Sequence, residues 1–399
     1  MRTWPSRMKR AFTKTIKASF STGLYYSFIV ITLLFGLTNC SDNKSNYDIS
    51  GVSSIRIRMR IDSVSSNYNQ LYQAFYDENK KQELLYVMNV FTNGVDTYNL
   101  DSLVLEKRTS FDINGPEALP RIGAFHVFKK DSLLVMSAQR VDGLIVSDSS
   151  TISLGKVLGS KKIFFNHHTS SMTPILEYKQ KLFVYGLPIG GDAPDSTNYL
   201  ELDLVLDFEK RTIQKLYNED MEPVDKRWGY LRYHTRTIDD MGRIIYSFPF
   251  TSELLIYDIE LDSFYTQDVP SQLIETPAKM LPSGENETKH FLENNHFDGI
   301  LFDKYKGLYY RFIKLSINPM DNNGRLKNAF HQETAVQVID KAFNVVTEFK
   351  LTPVWQYLSK DSFVSKSGLF ISEANNLNGN ISEDSLYFTV FNFDQQKIK

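Results

Sequence analysis

Cysteine is almost missing from this 399-residue sequence: Cys40 is the only one. A single thiol excludes an internal disulfide and a cysteine-built zinc centre. The spacings of familiar catalytic machinery are missing too. There is no G-x-S-x-G, no H-E-x-x-H and no G-x-G-x-x-G, so a nucleophile elbow, a zincin helix and a dinucleotide fingerprint are all excluded. No tight ligand spacing for a metal is visible, and neither metal nor cofactor is expected. A membrane-spanning run is lacking as well. The longest apolar stretch, Leu24–Leu37, is about 14 residues, against the roughly 20 that a bilayer requires. Acidic side chains are absent from the first 39 residues, which hold six basic ones (Arg2, Arg7, Lys9, Arg10, Lys14, Lys17). The formal charge of −2 therefore hides a segregation: outside those six, 39 basic residues face 47 acidic ones, a charge of −8. An acidic body gives no footprint for phosphates, so a nucleic-acid partner is not expected.

What is present at the start is an address. A basic segment leads into the apolar run, which ends at Leu37-Thr-Asn-Cys40 and passes into polar Ser41-Asp-Asn-Lys-Ser-Asn46. This is a targeting pattern rather than a fold element, and Met8 is an alternative start. The run and its cysteine resemble a bacterial lipobox, in which the cysteine becomes the lipidated first residue of the mature protein. Asn39 departs from the small residue usual before that cysteine. The alternative is an uncleaved N-terminal anchor with an incidental Cys. The organisation expected is a signal peptide over 1–39, a lipidated Cys40 and tether over 40–53, and one folded domain over 54–399. Lipid on Cys40 implies a membrane partner and a place in the bacterial cell envelope, with the outer membrane preferred.

The folded part is rich in aromatics: 13 % of the chain, with 22 Tyr and 28 Phe. These residues favour strands. A turn followed by a short apolar run recurs at Leu84, Leu133, Leu182, Ile244, Leu308 and Leu369, at separations of 49, 49, 62, 64 and 61. A second element follows, a strand running into Asp or Asn at a turn: Thr97–Ser102, Ile145–Ser149, Val205–Glu209, Ile256–Glu260 and Val338–Lys341. Another strand comes straight after, as at Leu103–Phe111, Arg211–Tyr217 and Phe343–Leu351. Trp228-Gly-Tyr-Leu231 matches Trp355-Gln-Tyr-Leu358 two repeats later. Six units of about four strands predict an all-β, six-bladed propeller. The last unit lacks an outer strand, and the alternating Ile55-Arg-Ile-Arg-Met-Arg-Ile61 is predicted to supply it. Ile55, Ile57, Met59 and Ile61 then face the neighbouring sheet, and Arg56, Arg58 and Arg60 face water.

Together with Gly115-Pro-Glu leading into Phe125–Leu133, the repeats and the lipobox resemble the six-bladed, TolB-like propellers of uncharacterised bacterial lipoproteins. That resemblance implies a shape and an address and no agreed activity.

Blade topology sorts the loops. Turns between strands one and two, and three and four, lie on one face and are short. The long segments all fall on the other: Gly186–Asn198, Asn218–Arg227, Val269–Lys289, Ser316–Glu333 and Ala374–Asp384. Binding usually sits on such loops. Tyr230, Arg232, His234 and Arg236 alternate as if along the first strand of blade four, so they are expected to share a channel-lining face. There the arginine forks and a histidine could hold a carboxylate, phosphate or sugar acid. His126, His167, His168, His290, His296 and Asp298 are further channel candidates. The leading expectation is a lipid-anchored binding protein that takes a protein partner or a glycan on its long-loop face. The alternative is a hydrolase or lyase working on a sugar or lactone at the channel mouth.

Overall fold

The computed structural model describes residues 52–393 except 68, 70, 116–117, 120, 138–142, 148–149, 154–164, 168, 189–199 and 219–225. The signal-like run, Cys40 and His168 lie outside the described residues. The strands form six four-stranded antiparallel sheets, and the strand order in five of them runs outward in sequence order. Blade one is β2–β5 (Tyr72–Asp77, Gln82–Asn89, Gly94–Asn99, Val104–Ser110). Blade two is β6–β9 (Ile122–Lys129, Ser132–Ser137, Gly143–Ser147, Ser150–Ser153). Blade three uses β11, β12, β14 and β15 (Leu176–Tyr178, Lys181–Val184, Leu200–Asp207, Thr212–Asn218), beside a small pair, β10 and β13 (Phe165–His167, Gly186–Pro188). Blade four is β16–β19 (Thr235–Ile238, Arg243–Ser247, Glu253–Asp258, Ser263–Asp268), and blade five is β20–β23 (His296–Asp303, Leu308–Lys314, Thr334–Asp340, Val345–Lys350). Blade six is β24–β26 (Leu358–Ser365, Gly368–Ser372, Ser385–Phe393) with β1 (Val52–Arg60) as its outer strand. The six apolar runs are the second strand of each blade.

The aspartates of the repeated turns shape the backbone. Asp77, Asp207, Asp239, Asp258, Asp303 and Asp340 each accept a backbone N–H two to four residues ahead, at 2.8–3.0 Å for the shortest bond. Such bonds satisfy amides that the sheet ladder leaves free at the turn.

Each interface between blades holds one apolar cluster, and the aromatics collect there. Leu84, Tyr86 and Val95 meet Phe125, Val127 and Val135 between blades one and two. Phe183 and Val205 meet Tyr246 and Tyr257 between three and four. Tyr310 and Phe312 meet Leu369 and Phe393 between five and six. The rings pair within these layers, as in Tyr309 stacked on Phe343 at 5.4 Å. Alternating residues of each strand therefore serve opposite neighbours, and the core is divided into clusters between the blades.

β1 pairs with β26 antiparallel, from Val52 opposite Phe393 to Arg60 opposite Ser385. Its inward residues are fewer than the alternation predicts. Met59 is buried, and Ile57 and Ile61 pack against the cluster shared by blades six and one. Ile55, on the same side, is 64 % exposed, because that cluster stops at Ile57. Arg56, Arg58 and Arg60 are exposed, and the first two are engaged. Arg56 reaches the fully buried Glu373 at 2.8 Å, and Arg58 pairs with Asp384 at 3.1 Å.

Candidate functional site

The connections between blades and the turns between second and third strands share one face. Every inner strand begins there, so the mouth of the central axis opens on it. Asp298, third residue of β20, accepts hydrogen bonds from the Tyr233 hydroxyl at 3.1 Å and from Ser359 of β24. Lys314 Nζ stands 4.0 Å from the same carboxylate and donates to Thr334 Oγ1 at 2.9 Å. Burial raises the Asp298 pKa, but Lys314, His296 and the two hydroxyls outweigh it and hold the carboxyl below its ordinary value. Burial pulls Lys314 down against the attraction of Asp298. His296 is fully buried beside Phe291, with ring centroids 4.4 Å apart, and its Nδ1 meets Asn294 O at 3.0 Å. Its burial lowers its pKa to about 4, so it is neutral at neutral pH. The set joins blades four, five and six through an ionised acid, a buried ammonium and two hydroxyls. Ser359 gives its proton to the carboxylate, so it is not primed by a histidine base.

The axis beneath this mouth is filled. Thr169–Thr173, just before β11, bonds to the inner strands of other blades. Thr169 Oγ1 donates to Gly123 O in blade two at 2.8 Å, and Ser171 Oγ accepts from Tyr72 N in blade one at 3.0 Å. Met172 O accepts from Arg236 N in blade four at 3.1 Å. The Met172 side chain lies against Gly299 of blade five, where a Cβ would fall 2.5 Å from its sulfur. Only a segment on the axis can touch four inner strands, and Thr169, Ser171, Met172 and Thr173 are all buried. The expectation of an open channel at this level is corrected: a hydroxyl-rich plug occupies it.

The expected shared face of Tyr230, Arg232, His234 and Arg236 is also corrected. β16 begins only at Thr235, and Tyr230 lies in a 3-10 segment, Lys226–Leu231, broken at Gly229 (φ 54°, ψ −129°). That break removes the alternation. Tyr230 is 53 % exposed, and Arg232 is exposed on the loop face. His234 is buried among Tyr185, Tyr246 and Phe248, with the nearest ring centroid at 4.7 Å. Burial and the Arg236 charge depress its pKa to about 3. Arg236 points into blade three, where its Nε lies 2.7 Å from the fully buried Asp203 and its Nη2 donates to Phe183 O at 3.1 Å. His126 bridges blades two and three through Glu177 Oε2 at 3.0 Å. His290 bonds Lys279 O at 2.7 Å. None of these joins Asp298 by a hydrogen bond. Among the described residues no group of three or more His, Cys, Asp or Glu is placed to hold a metal ion.

A cleft of about 1100 Å³ opens on the same face, over blades six and one. Its walls are the segment after β1 (Asp62, Ser63, Ser65, Ser66, Asn67) and the β25–β26 loop (Asn375, Asn376, Asn378), with Phe91 and Phe330 at the rim. Phe91 is 70 % exposed. Two of the three acids lining this cleft, Asp62 and Asp384, are committed, and the third, Glu383, is exposed. Arg108 forks between Asp62, at 2.9 and 3.1 Å, and the buried Asp96, at 2.6 and 2.9 Å. The bond from Arg108, outweighing slight burial, holds Asp62 below its ordinary value. Ser382, Ser385 and Arg58 hold Asp384 at about 2. These two stay ionised and cannot act as proton donors at neutral pH. The surface offers amides, hydroxyls, fixed negative charge and an exposed ring. Apart from the length of the Ala374–Asp384 insertion, its sequence signal is the asparagine repetition in Asn375-Asn-Leu-Asn-Gly-Asn380.

Six radial sheets around a plugged axis, with a polar mouth and a cleft on one face, define a six-bladed β-propeller. The family model described as a domain of unknown function (DUF4221) matches residues 51–350, and the chain belongs to that family. A crystal structure of a DUF4221 member from Bacteroides vulgatus superposes with a TM-score of 0.69 at 19 % identity, covering 86 % of this chain and 99 % of that one. A putative exported protein from Bacteroides fragilis superposes with a TM-score of 0.53 at 10 % identity, covering 88 % of this chain and 98 % of that one. At these identities the likeness is one of fold. No curated protein matches the chain. No helix among the described residues is long and apolar enough to cross a membrane.

Proposed function

We propose that the protein is a lipid-anchored envelope propeller that binds a polar glycan in the cleft over blades six and one. The cleft itself carries this reading. Amides and hydroxyls supply paired donors and acceptors for sugar hydroxyls, an exposed phenyl ring offers a stacking face, and about 1100 Å³ holds several sugar units. Asp62 and Asp384, held ionised, favour binding over acid catalysis. Calorimetric titration of the full chain with envelope and host oligosaccharides tests it. Asn376→Ala with Phe91→Ala is expected to weaken the best ligand at least tenfold. Absence of any glycan binding, or binding indifferent to both changes, refutes the glycan.

The anchor is proposed on Cys40, supported by its place at the end of the basic-apolar segment. Metabolic labelling with an acyl probe tests it, since Cys40→Ala should lose both label and membrane retention. Ring closure by β1 belongs to the same reading. Deleting residues 52–61 is expected to leave β26 with an unpaired edge and to make the protein aggregate.

A catalytic reading has one observation in its favour, the convergence of Asp298, Lys314, Ser359 and Tyr233 at the mouth. Turnover of a sugar or lactone that Asp298→Asn abolishes would establish it.

A further inference from the structure

We infer that the ligand of the cleft is an uncharged polysaccharide chain, and that it runs past Phe330 on to a further stacking ring, the indole of Trp355. This rests on the glycan reading of the cleft proposed above. Trp355 lies in the link between blades five and six, between β23 and β24, so it stands on the same face as the cleft. It is 51 % exposed, yet it is held in place. Its Nε1 donates to His331 O at 3.0 Å, and its ring meets the His331 imidazole edge-on with centroids 6.2 Å apart. His331 is fixed in turn, with its Nδ1 2.9 Å from Asn328 Oδ1. The residue before His331 is Phe330, at the rim of the cleft. Asn375, in the cleft wall, donates to Phe330 O at 3.1 Å and to Tyr357 O at 3.3 Å. Wall, rim and indole are thus one connected surface.

The chemistry of this surface selects the ligand. An exposed indole gains from covering its face, and the C–H side of a sugar ring is a flat apolar partner for it. Because Nε1 is already bonded and the ring already oriented, little side-chain freedom remains to be lost on binding. The Trp355 backbone is left-handed, at φ 70°, which a bulky residue rarely adopts. Strain of this kind gathers at ligand clamps. Phe91 belongs to blade one, and Phe330 to blade five, with blade six between them. A single sugar or a disaccharide cannot cover rings spread over that span, so the ligand is a chain. The cleft walls present Asp62, Glu383 and Asp384 and no Lys, Arg or His. An acidic chain is repelled there, and a neutral one is not.

The test is a titration of the full chain with size ladders, from disaccharide to octasaccharide, of malto-, cello-, xylo- and manno-oligosaccharides. An oligogalacturonate ladder is the acidic control. Affinity for the best neutral ladder is expected to rise with length. Trp355→Ala should weaken its octasaccharide about tenfold and its disaccharide less than about twofold. Trp355→Phe, which keeps a ring and loses the N–H bond, should recover part of that loss. In the unmodified protein, tryptophan emission should change with the octasaccharide and not with the disaccharide, and Trp355→Phe should abolish the change. Equal weakening of short and long chains, or an emission change that survives Trp355→Phe, overturns the role of Trp355; the cleft reading still stands if Phe91→Ala weakens binding. Tightest binding of oligogalacturonate overturns the neutral class. Binding of no ladder refutes the cleft reading and this inference with it.

Discussion

Two fully buried arginines, Arg236 and Arg311, stand at neighbouring blade interfaces, and their charges are compensated by opposite means. Arg236 crosses from blade four into blade three and meets a carboxylate, Asp203, whose other oxygen accepts the Tyr246 hydroxyl at 2.6 Å. Arg311 crosses from blade five into blade four and meets no acid. It donates to Ser247 Oγ, Thr251 O and Ser252 O, each at 2.9 Å, and lies 3.3 Å over the Phe297 ring. Burial accordingly pulls its pKa down, with only the distant pull of Asp268 and Glu348 against it. A guanidinium in a dry interface needs its charge compensated, and either an opposite full charge or several oriented dipoles will do this. The two differ in fragility. The ion pair depends on one partner, whereas the carbonyl clamp depends on a β17–β18 turn held in shape.

The largest break in that comparison is Asp203→Ala. It strands the Arg236 charge and is expected to cost about 3–5 kcal/mol in denaturant unfolding. Replacing both partners, Asp203→Leu with Arg236→Met, should cost far less than the single change. If it costs as much, the charge is not what matters. Next, Arg311→Met should cost about 2–3 kcal/mol, because it leaves the two turn carbonyls without donors; a loss as large as that of Asp203→Ala would erase the distinction. A third case sharpens it with the opposite sign. Asp361, in the β24 bulge, is fully buried and neither of its oxygens finds a hydrogen bond. Burial, only partly opposed by Lys360, raises its pKa to about 8. A raised folded-state pKa favours the native state below the unfolded value near 3.8 and loses that advantage as pH climbs through about 8. Stability should therefore fall by up to about 1.4 kcal/mol per pH unit across that window. Asp361→Asn should be the more stable protein at pH 8 and converge with the parent towards pH 4, as thermal melts at the two pH values would show. The smallest effect belongs to exposed charge: Asp384→Ala is expected to change stability by less than about 1 kcal/mol, because solvent screens its pair with Arg58.

Much of this ring was legible in the residues. The runs at Leu84 to Leu369 mark every second strand because each is buried on both faces, giving unbroken apolar stretches bounded by turn chemistry. The aspartate turns were legible for the same reason, since the side chain acts on its own backbone. Legibility failed where a single backbone angle or a distant contact decides. Tyr230 to Arg236 alternate in sequence, yet Gly229 turns the chain before the strand begins. Ile55 keeps the period of β1, but its exposure depends on where the neighbouring cluster ends. Thr169–Thr173 reads as a polar turn, and only contacts with four other blades make it a plug. At the mouth, His296 and Asp298 stand out by residue type, whereas Lys314, Ser359 and Tyr233 come to Asp298 only through the pairing and packing of blades four, five and six. The walls of the cleft are not legible as a set, because they come from positions more than 300 apart in sequence, such as Asn67 and Asn376.

The pairing of β1 with β26 also dictates an order of events. The first strand of the domain to be synthesised cannot find its partner until the last has been made, more than 300 residues later. Until then, five sheets can assemble from local hairpins while the sixth waits with an open edge. This pairing joins strands more than 300 residues apart, and contacts of such long sequence separation slow folding in general. A nascent chain must keep β1 apart from other strand edges through that interval. For the exported chain proposed above, this delay would keep the ring open until its last strand has crossed the membrane.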